Sequence, residues 1–305
     1  MTGRTRRVLR QAHEPANRID FMDTNNVSRR LRILLTDTLK PGQLEWLDER
    51  IDRITGEPSG KDLFLSYSLI GRKIPGSGVE LNQAAPSAVT DYIWEHGIRC
   101  DQLARIYLLA SVLEADPEYF TPKVATLIQV ADTGELVTFL RYLPVLPAAG
   151  AFKESAVEAL RTNIATVFDA IALGNPYPVE HFNQQQWNQM YLKAAFMGRD
   201  LLQIQGVGKR ANAELARIIS DYAHERWAAS RAVDPQIWRP VGPFLEGPLI
   251  GDMQRLLDSP DIREQQAGYL CCRASDSEAA GKLIDGHPVE KKYEANPFDW
   301  RDIKA

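Results

Sequence analysis

From Asn26 onward, apolar residues return every three or four positions. The pattern runs through VSRRLRILLTDTL and QLEWLDERIDRI, where Pro41 sits just inside a helix start, and recurs in KDLFLSYSLIG, DQLARIYLLASVLEA, PEYFTPKVATLIQVA and ESAVEALRTNIATVFDAIAL. This spacing stacks side chains on one face of a helix, whereas a strand needs a period of two. Turn signals such as Ala-Asp-Pro, ADTG and GNPYP separate the runs, and no segment alternates cleanly enough for a strand. The expected fold is all-α, with roughly a dozen helices arranged as a multi-helix bundle or as stacked helical hairpins.

Two stretches rich in proline and glycine interrupt the pattern, at 141–150 and 240–251, and the second is the better boundary. The expected organisation is a flexible basic tail over 1–25, a helical body over 26–245, a HEAT-like helix pair over 246–286 and a polar tail over 287–305. In the pair, Leu256 and Leu257 close one helix, Ser-Pro-Asp turns, and Ile262, Ala267 and Leu270 fall on the next. One such unit cannot bury its own face, so it must pack on the helices before it. In the last segment, which lacks a helical period, Phe298 and Trp300 are available to dock on the body.

The chain has 305 residues, 44% hydrophobic and 25% charged, the balance of a soluble globular protein, and no apolar run approaches the roughly 18 residues of a membrane span. The arginines of MTGRTRRVLRQAHEP have no apolar stretch behind them, so no export signal is read and the cytoplasm is the expected compartment. Cys100, Cys271 and Cys272 lack metal-binding or redox spacing and read as buried thiols. The net charge of −4 conceals eight arginines against Glu14, Asp20 and Asp23 within residues 1–32, which leaves about −9 on the remainder. A solvated basic tail is the simpler reading; a tail that meets RNA or an anionic membrane is the other.

The stretch LLQIQGVGKRANAEL, from Leu201, invites a phosphate-binding reading. A P-loop fails because Arg210 stands where Ser or Thr is needed after Gly208-Lys209. A helix-hairpin-helix motif fits the Gly-Val-Gly turn but would place Asn212, a poor helix former, inside the first turns of its second helix. Asn212 reads better as the N-cap of a helix running to about Ala229, with Gly206 and Gly208 in the connection before it and Glu214 against the helix dipole.

The same region belongs to a longer similarity. RTNIATVFDAIALGNPYPVEHFNQQQWNQMYLKAAFM and DYAHERWAASRAVDPQIWRPVGPF, together with LFLSYSLIGRK, DQLARIYLLAS and TGELVTFLRYLP, resemble the EboA family of bacterial proteins over most of the chain outside the tails. The resemblance implies a helical fold and a role in moving or processing a small organic metabolite toward the periplasm. Members are encoded beside a prenyltransferase, a TIM-barrel isomerase-like protein and hydrolase-like proteins, and the implied partners are the metabolite and the first two of these. The chain departs from the family pattern at Asn212-Ala213-Glu214, where Asn-Pro-Glu is expected, and at Gly-Val-Gly-Lys, where an acidic residue is more usual. Those departures put a role for the turn in doubt.

No metal site is expected, since His181 and His224 have no histidine one helical turn away, no cofactor is expected, and no Gly-x-Ser-x-Gly elbow is present. Polar residues in apolar helices are the positive signal. In RTNIATVFDAIAL they are Arg161, Asn163 and Asp169, with Thr162, Thr166 and Asp169 at helical spacing. Asn175 and Tyr177 follow in the GNPYP turn, then Trp187 and Asn188, and Asp221, His224 and Arg226 in DYAHERW. These residues are either interhelical hydrogen-bond partners or the lining of one pocket that orients an apolar metabolite. Tryptophans 187, 227 and 238 suit an aromatic ligand and a core equally. Four functions remain open: a metabolite or partner binder, an enzyme using His224 with Asp221 or Glu225 as an acid-base pair, a nucleic-acid binder, and a HEAT-like scaffold.

Overall fold

The computed structural model describes residues 26–79 and 87–303, so the expectation for the basic segment 1–25 lies outside the described residues. Among them are seventeen α-helices, six short 3-10 helices and no strand, the single β-type contact being an isolated bridge between Gly78 and Arg99. The all-α expectation is correct.

The chain divides into two compact units. The N-terminal unit takes in 26–79, 87–194 and 203–206. Its helices are α1 (Val27–Thr38), α2 (Pro41–Gly56), α3 (Gly60–Lys73), α4 (Ala88–Glu95), α5 (Cys100–Ala115), α6 (Pro117–Val130), α7 (Thr133–Tyr142), α8 (Lys153–Ala159), α9 (Ala165–Ala172), α10 (Tyr177–His181) and α11 (Gln184–Phe196), whose last turn meets the boundary. The C-terminal unit takes in 195–202 and 207–303. It carries α12 (Val207–Arg210), α13 (Ala213–Ala228), α14 (Pro248–Leu257), α15 (Ile262–Arg273), α16 (Glu278–Ile284) and α17 (Pro288–Ala295).

Helix α5 organises the N-terminal unit. It packs against α1, α2, α3, α6 and α7, and thirteen of its sixteen residues are buried. A helix enclosed on all sides must be apolar all round, and LARIYLLASVL nearly is. The exception is its first turns. The Arg105 guanidinium reaches Asp101 Oδ2 at 3.1 Å and Glu135 Oε1 of α7 at 3.5 Å, and lies 5.5 Å from the ring centre of Tyr67 on α3. Tyr67 donates to the Glu135 carbonyl at 3.3 Å, and Gln102 donates to Thr138 at 3.3 Å. Gly71 leaves the room this needs, because a Cβ there would stand 3.0 Å from Arg105 Nη2.

The run ESAVEALRTNIATVFDAIAL is not one continuous helix. Helix α8 ends at Ala159 and α9 begins at Ala165, so Thr162 does not share a helix face with Thr166 and Asp169. The freed carbonyls explain how the break is tolerated: Lys193 of α11 donates to Leu160 at 2.5 Å and to Thr162 at 2.7 Å, and Thr162 Oγ1 accepts from the Ile164 amide. The stretch 141–150 is no boundary either. It forms 3-10 turns whose Leu143, Val145 and Leu146 are buried within this unit. In the same unit Gly206 adopts φ +65°, and a Cβ there would lie 2.7 Å from both Val179 methyls.

Asn212 caps α13 as its sequence suggested, accepting from the Leu215 amide at 2.9 Å. Gly208 differs from expectation: it lies inside α12, a single turn that stops at Arg210, so no long helix follows the Gly-Val-Gly turn. Helices α14 and α15 pack closely because α15 presents Gly268, where a Cβ would stand 3.0 Å from Leu256 Cβ. Cys271 donates its thiol to the Trp238 carbonyl at 3.3 Å, and burial pushes that thiol well up and the Cys272 thiol to about 12. The segment 287–305 corrects its sequence reading, for Pro288–Ala295 is helical. Pro288 occupies the first turn, where its missing N–H costs nothing, and His287 accepts from the Val289 amide. Phe298 packs on Tyr269 and Tyr293, and Gln236 donates to the Ile303 carbonyl at 2.6 Å.

Replacing Arg105 with alanine leaves two carboxylates in a space with little water, and denaturant titration should record a loss of about 3–5 kcal/mol. An unchanged midpoint would mean the triad contributes nothing. Gly206→Ala should cost about 1–3 kcal/mol through the left-handed backbone and the crowding on Val179, read by the same titration; a neutral result would refute the close approach.

Candidate functional site

The candidate residues of the N-terminal unit have different surroundings. Arg161 is exposed and pairs with Glu158 at 2.9 Å, and Asn163 is exposed in the break between α8 and α9. Asp169 is half-buried on α9. Asn175 is buried and works as a turn bracket, its amide donating to the carbonyls of Leu140 and Ala170, both at 2.9 Å, while its oxygen accepts from the Tyr177 amide. Tyr177 donates to the Ala149 carbonyl at 2.9 Å, and burial raises the pKa of its phenol. Its ring lies 4.3 Å from that of His181, whose pKa burial lowers. Trp187 and Asn188 are buried on α11, and Trp187 stacks on Tyr191 at 5.5 Å. Asn175 and Tyr177 therefore serve packing.

In the C-terminal unit, Asp221 is exposed and pairs with Arg217 one turn away at 2.7 Å. Arg226 donates to the Ala232 carbonyl at 2.7 Å and lies over the Tyr222 ring. His224 is the departure. Its partner is Asp252 of α14, not Asp221 or Glu225, with Nε2 2.5 Å from Asp252 Oδ1. Helix α13 places His224 over α14, and α14 buries Asp252 on the face it shares with Leu249, Met253 and Leu256. The signal for Asp252 was present in PLIGDMQRLL, where the helical period sets a carboxylate among buried apolar positions, but its partner could not be read from spacing.

Ser220, one turn before His224, donates to the other carboxylate oxygen, Asp252 Oδ2, at 2.5 Å. Asp252 is therefore the centre of the group and Ser220 does not touch the imidazole. A catalytic triad needs the serine on the histidine, so this arrangement does not activate Ser220. With the Asp252 carboxylate as the acceptor, Nε2 supplies the hydrogen of the His224 bond. The Asp252 side chain is 3% exposed and that of His224 57% exposed: the ring is anchored at a buried atom and opens to solvent.

Beside it stands a packed column. The His224 and Trp227 rings are 5.5 Å apart, Trp227 stacks on buried Trp238 at 5.9 Å, and the Arg255 guanidinium of α14 lies 4.3 Å over Trp227. With Trp238 and Arg255 both engaging it, Trp227 supports the site more than it offers an open aromatic face. Among the described residues, no group of three or more His, Cys, Asp or Glu is placed to hold a metal ion, and no helix is long and apolar enough to cross a membrane.

Replacing Asn175 with its near-isostere aspartate removes the two donations to Leu140 and Ala170, and each carbonyl left buried without a donor costs about 1–3 kcal/mol. Thermal unfolding of Asn175→Asp should show the loss; a wild-type midpoint would contradict the bracket role. A protein-family model described as metabolite traffic protein EboA matches residues 27–242, more than half of the chain. No curated protein and no solved structure matches it. The matched segment contains Ser220, His224 and Trp227 and ends before α14, which carries Asp252 and Arg255.

Proposed function

Because the chain belongs to the EboA family, we propose that it acts in metabolite traffic by binding a small organic molecule at the His224 surface of its C-terminal unit, in the cytoplasm, on a route toward the periplasm. Family membership supports the metabolite-traffic role. The observation that carries the binding reading is the exposed imidazole of His224, fixed at one nitrogen by buried Asp252. A ring held this way offers a polar group whose direction is set before a ligand arrives, so less ordering cost remains at binding. Arg255 and the Asp221–Arg217 pair supply further charge on the same two helices. Enzymes that make or consume the metabolite, of the prenyltransferase and isomerase-like kinds, are the partners this reading calls for.

A second reading draws on the same bond. An imidazole with Nε2–H donated to a carboxylate is arranged as a general acid or base at its other nitrogen, and Asp252 replaces Asp221 or Glu225 as the companion in that version.

His224→Gln keeps an N–H donor for Asp252 and removes the imidazole, so stability should change by less than about 1 kcal/mol. Small molecules that copurify with the wild-type protein, measured by untargeted mass spectrometry, should disappear from the variant. A variant that retains them in full sinks the binding reading.

A further inference from the structure

We infer that Asp252, contributed by α14 beyond the family-matched segment, is the positioning residue of the His224 site: it fixes which ring nitrogen is offered outward. This rests on the binding reading above. The bond from Nε2 consumes the only hydrogen that a neutral imidazole carries, so Nδ1 is left with a lone pair. No hydrogen bond of Nδ1 occurs among the described residues, and the ring is more than half exposed. In its neutral form the ring therefore meets a ligand as a hydrogen-bond acceptor and takes molecules bearing an O–H or N–H donor. A protonated imidazole would instead present a charged N–H to an acceptor.

Ser220 fixes the carboxylate in turn. Its donation to Oδ2 leaves Oδ1 for the histidine, and both oxygens of a 3% exposed group are then satisfied. Leu249, Met253 and Leu256 hold α14 by its apolar face, so the carboxylate is carried on a rigid element. A positioned side chain of this kind needs support from outside the ligand-touching residue itself. The segment after residue 242 thus completes a site whose ligand-facing residue lies within the matched segment.

The test is proton NMR of the full chain at low temperature, with His224→Gln used to assign the ring proton. The wild type should show a protected imidazole N–H resonance well downfield of the amides. Asp252→Asn offers only a neutral acceptor, so the resonance should move upfield, and copurifying masses should fall at least several-fold; Ser220→Ala should keep the resonance. A wild-type spectrum without it, or an Asp252→Asn spectrum that matches wild type, overturns the inference. The binding reading is judged separately: loss of copurifying masses in His224→Gln together with their retention in Asp252→Asn sustains binding and rejects positioning by Asp252.

Discussion

The Arg105 guanidinium lies between Asp101 and Glu135 on a helix that has almost no solvent face, and the N-terminal unit is built around that fact. A charge so placed cannot be left unpaired, because removing it from water costs more than any single contact returns. Helices α3 and α7 are therefore committed to α5: one brings Tyr67 and the clearance at Gly71, the other brings Glu135 and Thr138. The apolar remainder of α5 then gathers α1, α2 and α6 by burial alone. The first contribution specifies which helices meet, and the second supplies most of the attraction.

Backbone polar groups set the remaining joints. Where α8 stops, Lys193 takes two carbonyls; at the GNPYP turn, the Asn175 amide takes two more. In both places a side chain replaces helix hydrogen bonds that the turn cannot make. The Gly206 turn is set by shape instead: its left-handed backbone and its approach to Val179 admit no side chain.

The C-terminal unit uses the same economy near a surface. Asp252 is buried and answered by Ser220 and His224, so a carboxylate that secures α13 to α14 also aims an exposed imidazole. Support of the helix pair and orientation of the imidazole share one group: the residue that faces solvent lies on α13 and the residue that directs it lies on the next helix. Family membership supplies the metabolite-traffic role, and the site proposed for it rests on this bond.

Periodicity and caps were enough for the helical class, for the start of α13 at Asn212 and for the turn at Ser-Pro-Asp, because those depend on neighbours within a few residues. The long similarity likewise lay in plain view along the chain. Sequence spacing failed where a distant residue decided the outcome. The pattern through ESAVEALRTNIATVFDAIAL is helical throughout, yet the break is stabilised by a lysine some thirty positions on. His224 has Asp221 one turn before it and Glu225 next to it in sequence, yet its partner is Asp252, because Asp221 faces Arg217 and solvent while α14 brings a buried carboxylate to the imidazole. Local propensity is written in the order of residues; which helix face meets which is decided only when burial and the pairing of charge are satisfied together in three dimensions.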